Sequence, residues 1–177
     1  MEEKTRGLIQ VYTGDGKGKT TAAFGLALRA SGCEMKVAIV QFMKRGEWYG
    51  EINAFAKLPL VDIFSYGGDK FLKKGETPDP QDLNLVAAAL AKTKELMEQP
   101  DLDILILDEL CNAVFYDLIP EETALDLMKN KPQHLELVIT GRNATPAMIE
   151  LADLVTEMRE VKHPYQQGIP ARKGIEF

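Results

Sequence analysis

Residues 13–21 read Thr-Gly-Asp-Gly-Lys-Gly-Lys-Thr-Thr and lie between an apolar run at 8–12 and a helix-forming run at 22–30. A glycine-rich turn joining a strand to a helix confines the chain to few architectures, because its purpose is to aim backbone N–H groups at an anion beyond the strand's carboxyl end. Gly14, Gly16 and Gly18 supply backbone angles that other residues resist, with Asp15 and Lys17 between them. Lys19 adds a mobile point charge, Thr20 a hydroxyl for a phosphate-bound Mg²⁺, and Thr21 follows in the helix whose positive dipole end faces the same anion. The pattern departs from G-x-x-x-x-G-K-[ST] only in carrying Thr13 where the first glycine would stand. The loop predicts a nucleotide-binding protein.

The rest of the chain agrees with that start. Apolar runs at 8–12, 37–42, 61–66, 104–107 and 135–140, with a weaker sixth at 154–157, alternate with helical patterns at 20–31, 49–57, 80–98, 120–129 and 146–152. Gly32 reads as a helix stop, and Pro80, Pro120 and Pro146 read as helix starts. Such alternation predicts an α/β fold of three layers, a mostly parallel sheet of about six strands covered by helices on both faces. With 177 residues and 45% hydrophobic composition the chain supports one domain, 1–177.

Charge and composition narrow the function classes. A net charge of −6 argues against a general affinity for nucleic acid or acidic membranes, since both need clustered basic charge. The longest apolar stretch, 85–91, falls far short of a bilayer span, and Glu2 and Glu3 stand where a signal sequence would be basic, so a cytoplasmic protein is expected. Cys33 and Cys111 have no metal-type spacing and suggest packing roles.

In an open parallel sheet ligands bind beyond the carboxyl ends of the strands. Three positions are expected to converge there: the phosphate loop, Asp108-Glu109 after the fourth apolar run, and Thr140-Gly141-Arg142 after the fifth. The acidic pair suits Mg²⁺, a hard cation that takes oxygen ligands, and one carboxylate is expected to bind the metal or its water. The two acids cannot point the same way if the strand continues through them. Arg142 has the fork geometry to hold phosphate oxygens. His163 precedes a proline in a basic tail, where a structural role outweighs a catalytic one. Trp48, Tyr49, Phe71 and Tyr165 lie outside the strands and serve either packing or stacking on a flat ligand. The segment 67–79, with paired glycines and no periodicity, is expected to be a mobile surface loop.

Taken together, the residues resemble the ATP-dependent corrinoid adenosyltransferases of the phosphate-loop type over nearly the whole chain. The resemblance rests on 14–25 with Arg29, on Gln41-Phe42, on Leu107-Asp-Glu-Leu110, and on the C-terminal set Val138-Ile-Thr-Gly-Arg142, Glu150-Leu-Ala-Asp153, Val161-Lys-His163 and Gly174-Ile-Glu-Phe177. It implies a RecA-like, P-loop NTPase-like fold and transfer of the 5′-deoxyadenosyl group of ATP to the reduced cobalt of cobalamin or a precursor corrinoid, with release of triphosphate, in adenosylcobalamin biosynthesis or salvage. It further implies that Lys19 and the loop bind triphosphate, that Thr20 and Glu109 hold Mg²⁺, that Arg142 binds phosphate, that Arg29 belongs to the nucleotide site, and that Phe71 stands in for an aromatic segment near the cobalt's lower face. A homodimer and an electron-donating reductase or flavoprotein are the partners the family suggests. The loop alone equally fits a nucleotide-dependent switch or a small-molecule kinase, both of which release ADP. The tail fits neither.

Overall fold

The second apolar run, Val-Ala-Ile-Val-Gln-Phe, is buried at every position, as expected of a strand packed on both faces in the middle of a parallel sheet. The computed structural model describes residues 6–45, 50–68 and 74–176. Along these the elements are β1 (Ile9–Thr13), α1 (Lys19–Ser31), β2 (Val37–Phe42), α2 (Gly50–Phe55), β3 (Val61–Tyr66), α3 (Pro80–Met97), β4 (Ile104–Asp108), α4 (Leu110–Phe115), α5 (Glu121–Lys129), β5 (Glu136–Thr140), α6 (Pro146–Leu151) and β6 (Leu154–Glu157), followed by a 3₁₀ turn at Pro164–Gln167. Trp48, Tyr49 and Phe71 lie outside the described residues, as does the middle of the 67–79 segment.

All strand pairs are parallel, in the order β3-β2-β4-β5-β1-β6. The expected α/β architecture of six strands is therefore observed. Alternate residues of each strand face opposite layers. Val37 and Ile39, Ile104 and Ile106, and Val138 pack with Ala23, Phe24, Ala27 and Phe55 of α1 and α2. The intervening Ala38, Val40, Leu105, Leu107, Leu137 and Ile139 pack on the opposite face with Val86, Ala89 and Leu96 of α3, Leu110 of α4, Leu127 and Met128 of α5, and Met148 of α6. Phe24 and Phe55 meet edge to face at 5.3 Å between ring centres, which ties α1 to α2.

Two features differ from the sequence expectation. Helix α4 was not anticipated, because it is only six residues long and follows directly on the acidic pair rather than on a capping signal. Strand β6 is exposed along its whole length, since it is the sheet's edge and has β1 on one side alone. Helix starts fared better. Pro80 and Pro146 occupy first-turn positions behind Asp79 and Thr145, whose side chains accept from Gln81 N and Met148 N.

Candidate active site

Strand order decides which side chains meet. With β5 inserted between β1 and β4, the carboxyl ends of β1, β5, β4 and β2 stand side by side at one edge of the sheet. From them come the phosphate loop, Thr140 to Arg142, Asp108 with Glu109, and Gln41 with Lys44.

The loop is shaped by what runs beside it. Gly14 has φ 96°, and a Cβ there would lie 2.5 Å from the carbonyl oxygen of Met158, so no side chain is tolerated. The chain after β6 lies against the loop: Met158 N donates to Thr13 O at 2.8 Å, and Gly16 N donates to Met158 O at 2.6 Å. Thr13 explains the departure from the loop pattern. It is the last residue of β1, in extended register with Glu157, and its hydroxyl accepts from Ala144 N at 3.2 Å. A residue inside a strand needs no glycine.

Lys19 opens α1 and is buried, its ammonium donating to the carbonyls of Gly14 at 2.6 Å and Gly16 at 2.8 Å. Burial lowers its pKa. Glu109 opposes that shift, while the nearby charge of Arg142 adds to it. The loop lysine, the acidic pair and Arg142 thus share one electrostatic site, as the sequence suggested. Asp15 and Lys17 of the loop and Thr21 of α1 are exposed.

Asp108 is fully buried and its carboxylate is saturated. Oδ1 accepts from Thr20 Oγ1 at 2.9 Å and Thr140 Oγ1 at 2.7 Å; Oδ2 accepts from Gln41 Nε2 at 3.0 Å and Lys44 Nζ at 2.7 Å. Burial alone would raise its pKa, but the Lys44 charge and the donated hydrogen bonds hold it below the ordinary carboxylate range. Glu109 differs. Burial raises its pKa, and the Asp108 charge adds to the rise despite the opposing lysines. Strand β4 ends at Asp108, and Glu109 takes a left-handed conformation with φ 67°. The condition that kept adjacent acids apart therefore fails, and both reach the same lysine, Glu109 Oε1 lying 3.5 Å from Lys44 Nζ. Asn112 ties the site together by donating to Glu109 Oε2 and accepting from Arg142 N at 2.7 Å.

Other expected residues fall elsewhere. Arg29 lies ten residues beyond Lys19 in the last turn of α1, about 15 Å along the helix, so this chain does not bring it to its own loop. His163 has the structural role: it caps the 3₁₀ turn, its Nδ1 accepting from Tyr165 N at 3.2 Å. Cys111 is buried, and burial pushes its thiol up to about 12. Cys33 is exposed and does not pack.

Sequence reasoning missed Lys44, Thr140's link to Asp108, and the docking of the tail on the loop. Lys17 Nζ donates to Ile175 O at 2.8 Å and to Glu176 Oε1 at 3.0 Å, while Arg172 Nη2 donates to the same Oε1 at 3.1 Å. Gln41, a polar residue inside an apolar strand, signalled a buried polar partner, which is Asp108, but gave no sign of Lys44.

The comparisons with known proteins bear on this arrangement. The family model for ATP:corrinoid adenosyltransferase BtuR/CobO/CobP matches residues 5–177. The chain belongs to the corrinoid adenosyltransferase family. Relatives in that family include a corrinoid adenosyltransferase of Pseudomonas aeruginosa, 40% identical over 97% of this chain and 84% of its own length. Corrinoid adenosyltransferase CobA of Salmonella typhimurium is 38% identical over 99% of this chain and 88% of its own length. Among solved structures, the cytoplasmic domain of EssC matches with a TM-score of 0.55 at 16% identity, covering 94% of this chain and 34% of that one. A KaiC-like protein from Pyrococcus horikoshii matches at 0.50 and 15%, covering 86% and 73%. These likenesses speak for the P-loop NTPase-like fold alone.

Proposed function

We propose that this corrinoid adenosyltransferase family member transfers the 5′-deoxyadenosyl group of ATP to the Co(I) centre of cobalamin or a precursor corrinoid. The observation that carries the reading is the family match from residue 5 to 177, which includes the tail residues seated on the phosphate loop. A switch or a kinase would need the loop but gives no reason for that tail. The Co(I) electron pair attacks C5′, the C5′–O5′ bond breaks, and triphosphate leaves with the bonding electrons. Cobalt is the nucleophile, so no side chain need act as general base.

The protein's part is to place ATP and neutralise the leaving group. The loop amides, Lys19 and Arg142 bind the triphosphate, where charge grows as the C–O bond breaks. Thr20 with Glu109 would hold Mg²⁺, and the buried Asp108 orients Thr20 through its hydroxyl. The donor set fits that ion, a hard cation that takes oxygen ligands and keeps several waters, because the donors are a hydroxyl and a carboxylate. When bound, Mg²⁺ would screen the negative charge of the polyphosphate. Phe71 is assigned to the corrinoid side, a homodimer to the assembly, and an electron-donating flavoprotein to the supply of Co(I), all on family grounds. A cytoplasmic setting suits ATP as substrate; among the described residues no helix is long and apolar enough to cross a membrane.

The test is ATP with chemically reduced cobalamin. Loss of Co(I) absorbance with equimolar triphosphate is expected. ADP as sole product, with Co(I) untouched, would return the protein to the kinase or switch class.

A further inference from the structure

Lys44 stands two residues beyond β2, and its ammonium lies in the acidic site. Nζ lies 2.8 Å from Thr20 Oγ1, 2.7 Å from Asp108 Oδ2 and 3.5 Å from Glu109 Oε1. Those oxygens come from α1, the end of β4 and the residue after it. They form an all-oxygen cradle for one cation. Two of the three residues, Thr20 and Glu109, are those assigned above to Mg²⁺, and the third holds Thr20.

The backbone beneath Lys44 is fixed. Met43 sits at φ 59° and donates its N–H to Tyr66 O at 2.8 Å, and a Cβ on Gly67 would fall 2.4 Å from the Lys44 backbone nitrogen. Only a glycine lets the chain after β3 approach so closely. The side chain beyond that anchor is a flexible four-carbon stem with a compact charge, which can leave a site without unfolding it. An ammonium already within 2.7–3.5 Å of these three oxygens occupies the space a divalent cation would need to bind them, and the two positive charges repel.

We propose that Lys44 is an exchangeable internal counter-ion, occupying the cation position in nucleotide-free protein and yielding it to the divalent metal that arrives with ATP. The exchange keeps the acidic pair ordered before substrate binds. It also closes the site to metal until the nucleotide phosphates offer the ammonium another anionic partner, so metal and nucleotide binding become coupled. The inference rests on the assignment of Mg²⁺ to Thr20 and Glu109.

Mn²⁺ binding, read by electron paramagnetic resonance on the whole protein without corrinoid, tests it. Wild type should bind Mn²⁺ weakly without nucleotide and at least tenfold more tightly with ATP. Lys44→Met and Lys44→Gln should bind Mn²⁺ at least tenfold more tightly than wild type without nucleotide, whereas Lys44→Arg, which keeps the charge, should stay weak. The Gln variant retains a polar tip, so it reports charge removal even where the Met variant folds poorly. Unchanged or weakened nucleotide-free affinity in folded variants overturns the exchange. The underlying metal assignment is tested apart by Thr20→Val, which should weaken Mn²⁺ only when ATP is present; no change there removes the assignment itself, whatever the Lys44 variants do.

Discussion

At the scale of single residues, the two neighbouring acids have different work because their surroundings differ. Asp108 accepts four hydrogen bonds and is wholly buried, so Asp108→Asn breaks a buried ion pair and should cost about 3–5 kcal/mol of folding stability, measurable by urea unfolding. Glu109→Gln should leave stability nearly intact and raise the Mg²⁺ needed at saturating ATP. If the Asp108 variant alone needs more metal, the two assignments exchange. Lys19→Ala removes a charged donor at the leaving group and should lower turnover by about a hundredfold to a thousandfold while the protein stays folded. Near wild-type turnover in a folded variant would remove that role. The thiols offer a control on burial: at pH 8 iodoacetamide should modify exposed Cys33 and spare Cys111, whose thiol burial pushes up to about 12, until the protein is denatured. The placement of Lys19, Glu109 and Arg142 just beyond strand ends was legible from the apolar runs that precede them. Lys44 was not, because nothing in a lysine two residues past a strand reveals which way its stem turns.

At the scale of elements, the unit that matters is the phosphate loop clasped by the chain after β6. Gly14→Ala meets both a positive φ and a carbonyl 2.5 Å away, and should destabilise by about 1–3 kcal/mol through strain and weaken ATP binding. The tail's grip depends on Glu176, which the Arg172 hydrogen bonds, with the Lys17 contact behind them, pull down to about 2 from 4.5. A carboxyl with a lowered folded pKa stabilises above its unfolded value and loses that contribution as pH falls through the folded one. The clasp should therefore hold at pH 4 and release only near pH 2. Carbon NMR of the Glu176 carboxyl checks this, and in Arg172→Met its midpoint should move back toward 4.5. A midpoint near 4.5 in wild type would mean that the tail is not held. The strands and most helices were readable from apolar runs and proline starts. Helix α4 escaped because its beginning is set by the left-handed turn at Glu109, a conformation that glutamate's identity does not advertise.

At the scale of the whole molecule, the site exists because β5 lies between β1 and β4, bringing distant stretches of chain to one edge of the sheet. Alternation in the sequence made a parallel sheet legible, yet strand order depends on crossovers that periodicity does not encode. The tail shows the same limit, since its residues carried the family resemblance while their seat on the phosphate loop emerged only in three dimensions. Membership of the corrinoid adenosyltransferase family points to a reaction at the inner end of the triphosphate, whereas a kinase or a switch would react at its γ-phosphorus. ATP carrying ¹⁸O at the bridging 5′ position distinguishes these most directly when incubated with the protein and cob(I)alamin. Cleavage of C5′–O5′ predicts that the label leaves in free triphosphate, with a new cobalt–carbon bond in equal amount; label retained on adenosine, with ADP and phosphate as products, would contradict adenosyl transfer.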